Sequence, residues 1–246
     1  MTARGEQADP LVMYLVVRSK WLSSAGRLLA ACAQATVAAD RAFRADPRFA
    51  ADMVAWHEGS FRKVTLRAKE GEFARLLRDY PHAIGLDPVS GGPLVAVLPA
   101  RRKSTADPFL RQLQALSLPL SELELEVVSP AAEPAALVVL NPELAMSSGK
   151  AAAQVAHAAL MAADAPEHLG AGGDWAEVLA AWEAADCPIE IATATPTGWL
   201  AGLAELPCVA VTDSGLTEVT PGSRTVLLVR PGSLIQRRAA TAILAR

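Results

Sequence analysis

The chain has 246 residues and a formal net charge of -3, and 52% of its residues are apolar while only 5% are aromatic. That length is enough for two ordinary domains with real cores, and no apolar run approaches the roughly 20 residues a membrane-spanning helix needs. Three cysteines (Cys32, Cys187, Cys208) show no paired spacing, and the polar start MTARGEQADP has no apolar signal core, so the expectations are reduced thiols, no metal site and a cytoplasmic location.

In chain order, Met13 to Ala39 reads as a strand, a loop and an alanine-rich helix. A Trp-bearing amphipathic helix (Arg48 to His57), a strand (Val64 to Arg67) and a helix (Glu72 to Tyr80) follow. After Pro81 and Asp87, Gly91-Gly92 closes a hairpin into a strand (Leu94 to Pro99), and a last helix spans Pro108 to Leu116. Residues 117–135 carry Pro and Glu and read as a linker, with an extra strand at Leu123 to Val128. The order then repeats. A strand at Leu137 to Leu140 leads to a helix capped by Ser147 and opened by Lys150, then a helix (Trp175 to Ala185), a strand (Ile189 to Ala194) and a helix (Trp199 to Leu206). Pro207 and Asp213, a strand (Val226 to Pro231) and a terminal helix (Leu234 to Leu244) complete it.

A constant offset of 123 residues relates the two openings: Ser24 falls on Ser147, Gly26 on Gly149, Arg27 on Lys150 and Gln34 on His157. The expected fold is therefore two tandem α/β/α units, 11–116 and 136–246, each with a small mixed, mostly parallel sheet covered by helices. The first unit lacks six residues between its Asp and its last strand, and it has Ala31 where the second has Gln154.

Lys150, Gln154 and His157 follow an i, i+4, i+7 spacing and share one helix face. Lys150 stands at a helix start, where an amine beside backbone N–H groups suits a phosphate or an oxyanion, and it is the only lysine in residues 131–246. His157 has the residue type of an acid or base, although a structural histidine beneath the site is the simpler reading. Gln154 orients a loop or a substrate. Asp213 begins a turn after an apolar strand, the usual position of a site carboxylate, though an Asx-turn explains it equally. Thr217 and Thr225 offer hydroxyls to a water or a carbonyl, or simply suit a strand. The chain has no Gly-x-Gly-x-x-Gly, phosphate-loop or Gly-x-Ser-x-Gly motif, so no cofactor is expected.

The run SSGKAAAQVAHAA and the stretch VTDSGLTEVTPGSRTVLLVRP resemble the two signature segments of the type 2 peptidyl-tRNA hydrolases. That resemblance implies hydrolysis of the ester of peptidyl- or N-acyl-aminoacyl-tRNA by water, with Lys150, Asp213 and Thr217 as the catalytic residues. The substrate-binding set is Gln154, His157, Ser148, Thr225, Arg18 and Arg27. Members of that family commonly dimerise, so the two units are expected to pack as a pseudo-dimer within a monomer. The family's cations are replaced by Asn141, Ser148 and Leu216, each of which removes a contact to phosphate. A non-catalytic relative that binds nucleic acid or protein, and a hydrolase of a smaller ester or amide, are the competing readings. Residues 1–120 hold 17 Lys and Arg against 11 Asp and Glu, whereas residues 131–246 hold 6 against 12. A polyanion such as tRNA is thus expected to take its phosphate contacts from the first half, including the cluster Arg101 to Lys103.

Overall fold

The computed structural model describes residues 9–22, 24–59, 61–124, 130, 132–164, 175–215 and 218–246. The first half begins with β1 (Leu11–Arg18), α1 (Ala25–Ala45), α2 (Ala50–Glu58), β2 (Arg62–Ala68) and α3 (Glu70–Asp79). It continues through β3 (Ala83–Leu86), β4 (Pro93–Val97), β5 (Arg101–Arg102), α4 (Pro108–Gln112) and β6 (Gln114–Ala115). The second half comprises β7 (Ala135–Leu140), α5 (Ser148–Asp164), α6 (Trp175–Ala184), β8 (Ile189–Ala192), α7 (Pro196–Glu205), β9 (Cys208–Thr212), β10 (Arg224–Gly232) and α8 (Leu234–Leu244).

Two mixed sheets result. The first is ordered β3-β4-β1-β2-β6, with β5 on β1; the second is ordered β8-β7-β10-β9. Both share one core pattern, and the register matches as well as the order. Leu15 lies opposite Thr65 on β2 and Val97 on β4, and Val97 faces Ala83 on β3. At an offset of 123, Val138 lies opposite Ile191 on β8 and Leu228 on β10, and Leu228 faces Val209 on β9. The buried tryptophans correspond too: the indole N–H of Trp56 donates to the Arg62 carbonyl at 2.8 Å, and that of Trp182 to the Pro188 carbonyl at 2.9 Å.

The expectation of mostly parallel sheets is corrected. Among the strands described, only β1 with β2 and β7 with β8 run parallel. The last long strand of each half, β4 or β10, inserts between the first and third strands and runs against both. The helix expected to reach Leu116 ends at Gln112, and Gln114–Ala115 pair with β2 instead. Most of the extra strand expected at Leu123 to Val128 lies outside the described residues.

Strand alternation distributes the side chains between cores. Leu11, Met13, Leu15 and Val17 face a central cluster, whereas Val12, Tyr14 and Val16 face a second one beneath α3 and α4. On β7, Ala136 and Val138 face that same central cluster, and Leu137 and Val139 face a third beneath α7 and α8. The central cluster holds α1, α2, α5 and α6 between the inner faces of both sheets. Alanines on α1 (Ala30, Ala31, Ala33) and on α5 (Ala151, Ala152, Ala156) permit this helix layer to be thin. No helix among the described residues is long and apolar enough to cross a membrane.

The segment joining the halves crosses the helix starts. The Leu116 and Leu118 carbonyls accept from the backbone N–H of Gly149 and Ser148 at 3.1 and 2.7 Å, and the Glu124 carbonyl accepts from Ala25 N–H at 2.8 Å. A Cβ at Gly149 would lie 2.1 Å from the Leu116 carbonyl oxygen, whereas one at Gly71 on α3 would meet nothing within 4 Å. Gly149→Ala is therefore expected to destabilise the protein by about 2 kcal/mol or more, through backbone displacement. Gly71→Ala should instead stabilise it by about 0.5–1 kcal/mol through helix propensity. Urea unfolding of the two variants checks the contrast.

Candidate active site

The C-terminal ends of β7 and β9 lie on the same side of the second sheet, since both strands run against β10. The start of α5 and the turn at Asp213 therefore meet there. Ser147 caps the helix, its Oγ accepting from Lys150 N–H at 3.1 Å. Lys150 then reaches across, and its Nζ donates to Asp213 Oδ2. Gln154, one turn further along, donates from Nε2 to the same oxygen at 2.6 Å, and Gly215 N–H donates to Asp213 Oδ1 at 2.7 Å. Thr225, wholly buried on β10, donates from Oγ1 to Gln154 Oε1 at 2.9 Å. Asp213, with 6% of its side chain exposed, is thus a carboxylate paired with a cation and hydrogen-bonded by two further donors, as burial of a charge requires.

A cleft of about 450 Å³ opens above this network. The second half lines it with Ser147, Lys150, Gln154, His157, Asp213, Ser214 and Glu218. The first half lines it with Phe61, Arg62, Lys63, Thr65 and Lys103. Four basic side chains therefore converge on a space whose two carboxylates are already hydrogen-bonded, Asp213 to Lys150 itself. Glu218 accepts from both Ser147 N–H and Ser147 Oγ at 2.7 Å. A smaller cavity of about 310 Å³ behind α8 is mostly apolar, and its buried cation, Arg237, is paired with Glu190 at 2.7 Å.

Lys63 and His157 meet at the cleft wall, Nζ to Nδ1, at 3.0 Å. Lys63 Nζ also lies 3.8 Å from the centre of the Phe61 ring and 4.7 Å from that of Trp56. Burial among these rings pushes the amine well below its ordinary value, against the pull of Asp40 and Asp164. Burial, then the charges of Lys63 and Lys150, push His157 well below its own. Both residues keep some exposed surface, and their contact is partly buried.

Of the residues expected at the site, Lys150, Gln154, His157 and Asp213 do come together. Thr217 lies outside the described residues. Four others do not line the cleft. Thr225 works from behind Gln154, and Ser148 is wholly buried with its hydroxyl unpartnered among the described residues. Arg18 pairs with Glu70, and Arg27 stands 3.9 Å from Asp87. Arg27 and Asp87 occupy the positions of Lys150 and Asp213, so the first half keeps the ion pair at its own equivalent place. Ala31 supplies no amide there, and β3 closes in: a Cβ at Gly85 would lie 2.4 Å from the Ala31 carbonyl oxygen. The expected free N–H groups at the start of α5 are also corrected, because the linker carbonyls and Ser147 occupy them. Glu218, Phe61, Arg62 and Lys63 were not foreseen as site residues. Glu218's signal was its place in the stretch that the first half lacks; the other three come from a half whose relation to the site depends on packing. Asp40, His57 and Asp164 bring three ligand-type atoms within 4.8 Å of one another, but Arg44 Nη2 sits 2.8 Å from Asp40 and 2.9 Å from Asp164 and already supplies the cation.

Residues 135–241 match the family model described as Peptidyl-tRNA hydrolase PTH2. The second half is a PTH2-family domain. The match runs from the first residue of β7 into α8 and so takes in the whole second sheet. A relative, "Peptidyl-tRNA hydrolase 2, mitochondrial" of Bos taurus, is 31% identical over 120 residues, which cover 46% of this chain and 64% of that protein. The chain thus spans less than two thirds of that relative's length. The ion pair, the amide and the cleft floor all belong to the PTH2 domain, whereas Phe61, Arg62, Lys63 and Lys103 lie outside it.

Lowered values for Lys63 and His157 mean that the unfolded chain binds more protons than the folded one, so stability rises with pH across each interval. The wild-type protein should lose stability as pH falls below the ordinary histidine value of 6.5, by at most about 1.4 kcal/mol per pH unit for one proton. Lys63→Met removes an amine whose charged form is disfavoured by burial in the folded protein. It should raise Tm at pH 7, and the gain should shrink as pH approaches the ordinary lysine value of 10.5. Calorimetry of both proteins across pH 5 to 10 measures this.

Proposed function

We propose that this chain hydrolyses the ester of peptidyl- or N-acyl-aminoacyl-tRNA, with the second half performing the chemistry and the first half gripping the phosphate backbone. The observation that carries this reading is the Lys150–Asp213–Gln154 network at the floor of a cation-lined cleft, within the domain that matches PTH2. The cleft takes the 3′ end. Lys150, held in place by Asp213, stabilises the oxyanion that develops when water attacks the ester carbonyl. Gln154 and Thr225 keep Asp213 oriented, and Thr217 takes its water-holding role from the family resemblance. Arg62 and Lys103 supply phosphate contacts, so of the Arg101 to Lys103 cluster only Lys103 serves the cleft directly. The two matched halves pack as a pseudo-dimer in a monomeric chain.

A second reading, a non-catalytic relative that binds nucleic acid, is favoured by the loss of cations at three positions. Asn141 has become a turn residue, donating to the Arg224 carbonyl at 2.9 Å and accepting from Glu143 N–H at 2.9 Å.

Incubation of the protein with N-acetyl-aminoacyl-tRNA, with ester cleavage followed at several salt concentrations, decides between them. Lys150→Ala should lower kcat by about 10²- to 10³-fold, the size of a lost oxyanion contact. Arg62→Gln with Lys103→Gln should raise KM and flatten the salt dependence by about one unit of slope per lost phosphate contact, leaving kcat nearly unchanged. Tight binding without cleavage by the wild-type protein would favour the second reading, and cleavage of small acyl esters in preference to tRNA would favour a hydrolase of smaller substrates.

A further inference from the structure

Attack by water needs a group to take its proton, and both carboxylates of the cleft are occupied. Asp213 accepts from Lys150, Gln154 and Gly215, and Glu218 accepts from two groups of Ser147. The geometry points to the Lys63–His157 pair, one residue from each half, as the base that receives this proton, a role that rests on the ester-hydrolase reading above.

Three observations support it. First, His157 lines the cleft, and its Nε2 makes no hydrogen bond to a described residue, while its Nδ1 is held by Lys63 at 3.0 Å. Two cations 3.0 Å apart repel strongly, so the pair carries at most one proton and can take one up when empty. Second, the aromatic faces are placed to receive the charge that proton transfer creates. With His157 Nδ1–H donating to a neutral Lys63 amine, uptake at Nε2 passes charge to Nζ, which lies over Phe61 and Trp56. Third, the duplicated fold supplies an internal control. The positions equivalent to Lys63 and His157 are Ile189 and Gln34, so neither member of the pair is present at the corresponding place in the other half. The left-handed backbone at Phe61 (φ 47) is not specific to the pair, since Cys187, at the equivalent position, adopts it as well (φ 52).

The water oxygen bonds to the ester carbonyl carbon, the carbonyl π pair moves onto oxygen beside Lys150, and the water proton passes to His157 Nε2 as the Nδ1 proton moves to Lys63. Collapse of the adduct breaks the bond to the ribose 3′ oxygen. The proton returns by the same route to that oxygen, leaving a free 3′-hydroxyl and the peptide acid. The charged and titratable groups around the pair are Asp40 and Arg44 on α1, His57 on α2, Arg62 on β2, Lys103, Lys150 and Asp164 on α5, and Asp213 and Glu218 beyond β9.

The test uses the full chain. The pH profiles of kcat and KM are measured on N-acetyl-aminoacyl-tRNA for the wild type, Lys63→Met, Lys63→Arg and His157→Asn, with folding checked by thermal unfolding. Histidine side-chain ¹⁵N spectra of the wild type read the tautomer without reference to activity. Both Lys63 variants and His157→Asn should lower kcat by about 10²-fold or more, the usual worth of a general base, with KM within about twofold and the acid limb of the kcat profile lost. Lys63→Arg is the discriminating variant. Its guanidinium preserves charge and stacking but cannot give up a proton, so activity near wild type in Lys63→Arg would make position 63 a phosphate contact and overturn the proposal. A proton on Nε2 rather than Nδ1 in the spectra would also overturn it. Wild-type protein that shows the Nδ1–H tautomer and cleaves no acylated tRNA would instead refute the ester-hydrolase reading, and the base would fall with it.

Discussion

Alanine sets the distance between the two sheets, and nearly everything else depends on that distance. Helices α1 and α5 lie in the central layer with Ala30, Ala31, Ala33, Ala151, Ala152 and Ala156 buried. Side chains this small lose no rotamer entropy on burial, and they let helix backbones approach one another closely. The approach brings β2 of the first half against α5 of the second. Only then do Phe61, Arg62 and Lys63 overlook Lys150. A bulkier helix layer would leave the same residues in place on their own elements with the cleft pulled apart.

Within that frame the site is held by a charge that burial makes expensive. A carboxylate as enclosed as Asp213 is tolerated only when its lone pairs are filled. Filling them requires the α5 side chains at 150 and 154, the glycine N–H at 215 and, behind Gln154, the Thr225 hydroxyl. The network thereby fixes where the Lys150 ammonium stands. With Lys150 balanced by Asp213, positive charge at the cleft comes from Arg62 and Lys103 of the first half, while the second half as a whole is acidic.

Much of this could be read from the residues, and the misses share a cause. The matched pattern of the two halves was legible in the offset that places Gly26 on Gly149, because a strand, a loop and a helix of fixed lengths are local features. Lys150, Gln154, His157 and Asp213 were visible because a helix face and a strand end are local as well. Strand direction was misjudged because insertion of β4 and β10 between earlier strands is a long-range choice that alternation cannot report. Lys63 sits inside an ordinary strand pattern, RKVTLRA, and Phe61 is one apolar residue among many; their meaning comes from an element about 90 residues away. The N–H groups of α5 looked available because nothing in the linker's composition announces that its carbonyls will turn toward them.

The matched registers of the two sheets carry one more consequence. When two identical subunits assemble, every change of residue is made twice, once on each side of the axis, and a change that helps one face is imposed on the other. Two matched halves within one chain carry no such symmetry. Isoleucine at 189 and lysine at 63 can coexist at corresponding places, as can glutamine at 34 and histidine at 157. One face of the junction can then carry polar groups where its counterpart is plain packing, and covalent linkage guarantees that the two unlike faces are always present in equal numbers.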